Sequence, residues 1–463
     1  MVRLFSVYYP ARTLALLAIE TLVVWASFLG STTVRHGQDP MRVLRYQGGF
    51  YRIGVVAAVC LLCIYYYDLY DSFVLKNSRE VFTRLVRMLG TMCLVMAGIY
   101  LAFPQIRIGT QIFLAATFLT GILLATCRKV FMLVNQSSAL VQRIAVLGSG
   151  PQAARILQAV ETRSELGLRL VGYLGVEENG RSELGELRCL GSLDDSKEIL
   201  ARNRIGQIVI AMEERRGRLP VDLLLEAKTR GILILNGADF YERITGKVLL
   251  TSLRPSWLLF SQGFRLSVGM RFYKRAASIV LSLLALVASL PWMVLIAIVV
   301  RLDSDGPIIY CQERIGEGGR IFTMYKFRTM REEADVNDRH APAAENDSRV
   351  TRAGRWLRHS RLDELPQLFN ILRGDMHFVG PRPFVPSEEL ELIPKIPYYR
   401  DRHSVKPGAT GWAQINRGYC RTIEDNIEKL AFDLFYIKNI SVGLDLLICL
   451  RTIKTLLLGR GGR

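Results

Sequence analysis

Apolar residues in the first 130 positions gather in four blocks, about Leu14–Leu29, Ile53–Tyr67, Leu89–Phe103 and Gln111–Cys127, with charged residues between them. Each approaches the length a helix needs to cross a hydrocarbon core of about 30 Å, so the pattern predicts four transmembrane helices over residues 1–130. No small-residue cleavage site follows the first block, which reads as a retained span. Arg3, Arg12, Lys76, Arg79, Arg84, Arg87, Arg128 and Lys129 fall on one side of the alternating spans, and Arg35, Arg42, Arg45 and Arg107 on the other. That asymmetry predicts both ends of the region inside.

From Gln142 the apolar runs shorten. Arg143–Gly148 reads as a buried strand, Gly148-Ser149-Gly150 turns into a helix beginning near Gln152, and Leu170–Val176, Ile208–Ala211 and Ile232–Leu235 read as further strands. With helical stretches such as Val221–Arg230 between them, they predict a small Rossmann-like α/β domain over residues 140–265. Ala276–Val300 is then a fifth apolar block, 25 residues without a charge, with Pro291 inside it close to Ser289. Proline removes a helix donor and clashes with the preceding turn. The block is therefore either a kinked spanning helix or one that breaks at Ser289–Pro291 and returns to the side it entered. After Arg301 the chain is polar again, with a charged, alanine-rich loop expected over Glu332–Asp347 and an amphipathic tail over Leu444–Leu458.

A net charge of +18 on a chain half of whose residues are apolar calls for an anionic partner. With apolar spans present, lipid headgroups and phosphorylated small molecules fit better than nucleic acid. The eight cysteines lack metal-ligand spacing, and Cys60-x-x-Cys63 lies inside an apolar block with no second pair. They read as buried, reduced thiols. Five unclustered histidines argue against zinc chemistry.

The densest chemistry lies in the last third. Arg349, Arg352, Arg355, Arg358 and Arg361 recur every third residue, a slowly winding stripe on a helix. Such a stripe suits several phosphate oxygens, or simply a solvated or lipid-contacting face. Asp363 and Glu364 follow at once, between apolar neighbours. Guanidiniums beside them would keep both carboxylates ionised, with depressed pKa values. An ionised Asp in that setting can attack phosphorus or hold Mg²⁺ against a diphosphate, whereas a salt-bridged surface pair is the plain alternative. Neighbours on a helix diverge by about 100°, which predicts different tasks for the two acids. Arg382, between Pro381 and Pro383, has little backbone freedom and suits a fixed phosphate clamp.

These residues closely resemble the bacterial sugar transferases, the large monotopic polyprenyl-phosphate sugar-1-phosphate transferases that initiate exopolysaccharide, capsule or O-antigen assembly. The matching elements are Lys274-Arg275, the run from Gly306 through Gln312-Glu313-Arg314 to Gly316, Lys326-Phe327-Arg328-Thr329-Met330, Asp347 to Pro383, Lys406 to Trp412, and Asp433-Leu434-Phe435-Tyr436. The likeness is dense over Arg271–Leu458 and weaker before it. It implies an α-rich catalytic domain over residues 270–463 with a re-entrant helix at 276–300, broken at Ser289 and Pro291. Here Leu290 separates the pair, a small departure from the family's Ser–Pro. Also implied is a phosphoglycosyl transferase of the inner (cytoplasmic) membrane, multi-pass, with its catalytic domain facing the cytoplasm. In this reading Asp363 attacks the β-phosphorus of a UDP-sugar, releasing UMP, and undecaprenyl phosphate then takes the sugar phosphate from the aspartate. Glu364 and Asp363 would hold Mg²⁺, while Arg358, Arg382, Lys326 and Arg328 bind phosphate or substrate. Glucose is the first expectation for the sugar and galactose the second. Membrane lipids and pairing into a homodimer complete the expected partners, without nucleic acid.

Two rivals stand beside this reading. Gly148-x-Gly150-x-x-Ala153 after a strand resembles a dinucleotide fingerprint, which would fit a membrane-tethered nucleotide-sugar dehydratase or epimerase. Those enzymes need a Tyr-x-x-x-Lys, which the chain lacks. The α/β domain is expected to be regulatory or structural instead. A non-catalytic scaffold for polysaccharide assembly would explain the spans and the charge, but not the spacing of Asp363, Glu364, Arg358 and Arg382.

Overall fold

The apolar blocks become helices because each carries a buried stripe at intervals of three to four residues that needs a partner in a medium without water. The computed structural model describes residues 2–37, 41, 44–45, 48–70, 77–136, 141–163, 166–175, 189–191, 199, 202–212, 215, 218–250, 264, 266–331, 347, 349–418 and 422–457. The described residues divide into two compact units, Tyr9–Gly237 and Ala238–Arg463, the second joined by Arg3–Tyr8. The division falls after Gly237, ahead of the boundary near residue 265 expected from the sequence.

The first unit begins with helices α1 (Ala11–His36), α2 (Gly49–Tyr66), α3 (Ser78–Ala102) and α4 (Thr110–Gln136). All four are long and apolar enough to cross a membrane. Their mutual faces are regular: Val56, Cys60 and Ile64 on α2, and Met88, Met92 and Met96 on α3, are fully buried. Outward-facing Leu22, Leu94, Leu101 and Phe118 are largely exposed. The buried stripe of α1 runs Leu16, Glu20, Val24, Phe28, and that of α4 ends in Leu124 and Arg128.

Glu20 and Arg128 are both wholly buried and meet at 2.6 Å. The Tyr70 hydroxyl donates to the second Glu20 oxygen at 2.6 Å, and Arg128 donates to the Leu69 carbonyl. Arg128 is thus not the cytoplasmic loop cation that the charge count took it for. It is an interior group whose charge is met by a carboxylate on another helix, the arrangement that makes burial tolerable. Arg42 and Lys76, used in the same count, lie outside the described residues.

After these helices comes a five-stranded, all-parallel sheet of β3 (Gln142–Leu147), β4 (Leu168–Leu174), β5 (Cys189–Gly191), β6 (Gln207–Ile210) and β7 (Leu233–Asn236), following a short N-terminal pair β1 (Val2–Leu4) and β2 (Val7–Tyr9). The order β5-β4-β3-β6-β7 is that of a doubly wound α/β domain, as predicted. Ile144, Ala145, Val146 and Leu147 at its centre are buried on both faces. Helices α5 (Pro151–Glu161) and α6 (Val221–Thr229) accompany the strands.

The second unit opens with α7 (Gly237–Thr245), most of which lies in it, and continues with α8 (Val268–Asp303), a single helix of 36 residues. The sequence suggested a break at Ser289–Pro291, yet the helix runs through both. Pro291 deprives the Val287 carbonyl of its usual donor, while the Ser289 hydroxyl donates to the Leu286 carbonyl at 3.4 Å. Along its whole length α8 buries one face on this unit. Lys274 donates to the Val379 carbonyl at 3.0 Å and pairs with Asp445. Leu286 packs with Leu368, Ile371 and Met376, and Met293, Ile296 and Val300 pack with Phe327 and Leu357. At the far end Asp303 accepts from the Ala353 N–H at 3.0 Å. The opposite face, including Leu284, Val287 and Trp292, is apolar and mostly exposed. Of the predicted loop over Glu332–Asp347, all but Asp347 lies outside the described residues.

Candidate active site

The site is assembled by a hairpin, two short helices and a loop. Strands β8 (Ile309–Ile315) and β9 (Ile321–Phe327) pair antiparallel with Tyr310 opposite Lys326. The sequence reading gave this third of the chain an α-rich character and did not anticipate the hairpin. Helix α9 (Arg352–Ser360) is capped by Thr351, whose hydroxyl accepts from the Gly354 N–H at 2.9 Å. Gly354 lets α9 sit close: a Cβ there would collide with the Thr329 carbonyl oxygen. At that approach Arg358 Nε reaches the Thr329 hydroxyl at 2.8 Å.

Arg361 ends α9 in the left-handed region (φ 56°) and turns the chain into the 3₁₀ segment Leu362–Glu364, followed by α10 (Gln367–Arg373). Only Arg352, Arg355 and Arg358 of the predicted arginine stripe therefore share a helix. Arg349 lies before it and pairs with Asp347 at 2.6 Å. Buried Asn370 ties α10 to β9, donating to the Thr323 carbonyl at 2.7 Å and accepting from the Tyr325 N–H at 3.0 Å. This anchor fixes the acid pair relative to Lys326. Nothing in the sequence pattern marked it.

Asp363 is 9% exposed. Glu364 accepts from Arg382 at 2.8 Å and faces Lys326 Nζ at 3.5 Å. Burial opposes ionisation of Glu364, but Arg382 and Lys326 overcome it and hold the carboxyl well below the usual carboxylate range. Asp363 goes the other way: burial, aided by the charge of Glu364, pushes it up to about 6, with Lys326, Arg358 and Arg382 pulling back only in part. The expectation that both acids are depressed is corrected here, because desolvation outweighs the cations at Asp363. Lys326 is itself lowered, by burial first. Splitting neighbouring acids in this way lets one stay a fixed charge while the other changes role.

Arg328 stands apart. It is buried and donates to the Ser304 carbonyl at 2.6 Å, at the end of α8, and its hydrogen bonds go to Ser304 rather than to either acid. Lys326, Arg358 and Arg382 do gather about Asp363 and Glu364. Among the described residues no three His, Cys, Asp or Glu side chains form a metal cage. Two adjacent carboxylates nevertheless fit Mg²⁺ arriving with a diphosphate, since that ion is commonly held by one or two carboxylates plus phosphate oxygens.

The matches to known proteins follow this geometry. The profile described as bacterial sugar transferase covers residues 269–459. A UDP-glucose:undecaprenyl-phosphate glucose-1-phosphate transferase of Xanthomonas campestris pv. campestris is 30% identical over 97% of this chain and 94% of its own. The chain belongs to the bacterial sugar transferase family. Among the described residues, five helices are long and apolar enough to cross a membrane. A UDP-N-acetylgalactosamine-undecaprenyl-phosphate N-acetylgalactosaminephosphotransferase of Aeromonas hydrophila is 40% identical over 48% of this chain and 52% of its own. An undecaprenyl-phosphate glucose phosphotransferase of Komagataeibacter xylinus is 36% identical over 68% of this chain and 59% of its own. The chain thus spans about half to three fifths of those two sugar transferases and nearly all of the first. A second profile, described as CoA-binding domain, covers residues 66–230, which include strands β3 to β6 of the parallel sheet but not β7.

Proposed function

We propose that this sugar transferase moves a sugar-1-phosphate from a UDP-sugar to undecaprenyl phosphate, releasing UMP, as the first membrane step of exopolysaccharide, capsule or O-antigen synthesis. The carrying observation is the charge balance at the acid pair: Lys326, Arg358 and Arg382 face two carboxylates, an excess of positive charge suited to a diphosphate. An Asp363 oxygen attacks the β-phosphorus, the bond from that phosphorus to the bridging oxygen breaks, and UMP departs with the electron pair. The resulting phosphosugar-aspartate is opened by a phosphate oxygen of the lipid, which restores the carboxylate. Arg382 and Lys326 keep Glu364 ionised, and Arg358 supplies a donor toward the transferring oxygens. Mg²⁺, held by Glu364 and Asp363, would neutralise charge on the diphosphate. Glucose is the proposed sugar, with galactose next.

Both ends of α8 are fastened to the same unit while its outer face is apolar. This supports a helix seated in the inner membrane from the cytoplasmic side, with its polar ends in one compartment, in the manner of a re-entrant segment.

The test is UMP release by purified protein in a membrane mimetic with Mg²⁺, undecaprenyl phosphate and a panel of UDP-sugars. One sugar should give rapid release, and Asp363→Asn should abolish it. Release that survives the substitution removes Asp363 from the role of nucleophile.

A further inference from the structure

Arg382 must aim its guanidinium at Glu364 from a loop poor in means of holding itself. Pro381 and Pro383 have no N–H, so its shape must be imposed through its carbonyls. Four consecutive ones are claimed from outside. Pro381 accepts from the Gly408 N–H at 2.9 Å and Phe384 from the Ile315 N–H at 3.1 Å. Between them, the Arg382 carbonyl accepts from Arg402 at 3.1 Å and the Pro383 carbonyl from Arg314 at 3.1 Å.

Neither arginine is idle scaffolding by composition. Arg402 is 3% exposed, lies over the Phe384 ring at 4.3 Å, and is fixed by Asp433 at 2.6 Å and the Tyr399 hydroxyl at 2.9 Å. Arg314 stands on β8 and is braced by the Gln312 side chain at 2.6 Å. A guanidinium's rigid fork can grip a carbonyl and a brace together, which an ammonium on a flexible stem does less well.

We propose that Arg314 and Arg402 are positioning residues, a two-sided clamp on the Arg382 and Pro383 carbonyls that aims the Arg382 guanidinium at Glu364 and the diphosphate site. The inference rests on the transfer reading above. It gives roles to Gln312, Arg314 and Asp433, which the sequence matched without explaining.

The experiment is a double-mutant cycle on UMP release, with thermal melting of each variant in the same mimetic. Arg382→Gln should cost about a hundredfold in kcat. Arg314→Gln should cost about tenfold, with KM for the UDP-sugar changed less than about threefold. Because Arg314 acts through Arg382, the double variant should match Arg382→Gln alone within about twofold. Arg314→Lys should recover part of the loss. Arg402→Gln/Asp433→Asn, which strands no buried charge, should behave like Arg314→Gln. Multiplying effects in the double variant, a loss carried mainly by KM, or a rate loss matched by loss of folded protein would overturn the clamp. A folded wild type silent with every donor would instead refute the transfer reading beneath it.

Discussion

Two regions bury carboxylates and balance them in opposite ways. Among the apolar helices, Glu20 meets Arg128 one to one, both wholly covered, with Tyr70 on the remaining oxygen. At the candidate site, Asp363 and Glu364 face Lys326, Arg358 and Arg382, and the side chains of Glu364 and Arg382 keep 18% and 29% of their exposure. A matched, sealed pair has no charge left for a ligand, whereas an unmatched, partly open cluster invites an anion. Buried charge is thus informative less by its presence than by its arithmetic and its access to solvent.

That contrast is broken most sharply at Asp363. Asp363→Asn should lower UMP release by about three orders of magnitude or more, with the fold intact by melting. A residual rate within tenfold of wild type would put this acid in the same class as Glu20. A smaller effect sharpens the picture through pH. In the proposed reaction Asp363 must be ionised to attack, and its carboxyl stands near 6, so kcat/KM should rise with pH through that value and fall away below it. Glu364→Gln removes a negative neighbour that raises Asp363, so the limb should move to lower pH whatever the loss in maximal rate. A limb that stays in place would separate the two titrations. The smallest catalytic effect belongs to the sealed pair. Glu20→Gln should destabilise the helices by about 3–5 kcal/mol, because it strands Arg128. The rate per folded molecule should change by less than about threefold, a ratio read from activity against the folded fraction.

The sequence made some of this legible and hid the rest for physical reasons. Helices and sheet were readable because burial imposes periodicity: the α2 and α3 stripes and the Ile144–Leu147 run appear in the order of residues. Asp363, Glu364 and Arg382 were readable because adjacent acids and a proline-bracketed arginine are rare patterns. Arg128 was misplaced because a charge at the end of an apolar block looks alike whether it enters water or meets Glu20 on a distant helix. The acidity of Asp363 was misjudged for a related reason: proximity in sequence counts the cations but not the lost water. Arg349 and Arg361 fell off the helix because a regular spacing says nothing of where capping by Thr351 and the left-handed turn at Arg361 bound it. The hairpin carrying Lys326 and Arg314 was missed because Ile309–Ile315 and Ile321–Phe327 are short and weakly alternating.

The attachment of α8 at Lys274 and again at Asp303 has a kinetic side. A helix pinned at both ends to one unit cannot tilt or slide on its own, so in the proposed seat it fixes the height of the acid pair above the lipid tails, as a keel fixes a hull. The acceptor then need not leave its leaflet, and the search for it takes place in a plane. What the enzyme senses becomes the number of carrier molecules per unit area: thinning them with inert lipid slows the encounter, while diluting the whole suspension of vesicles leaves it untouched.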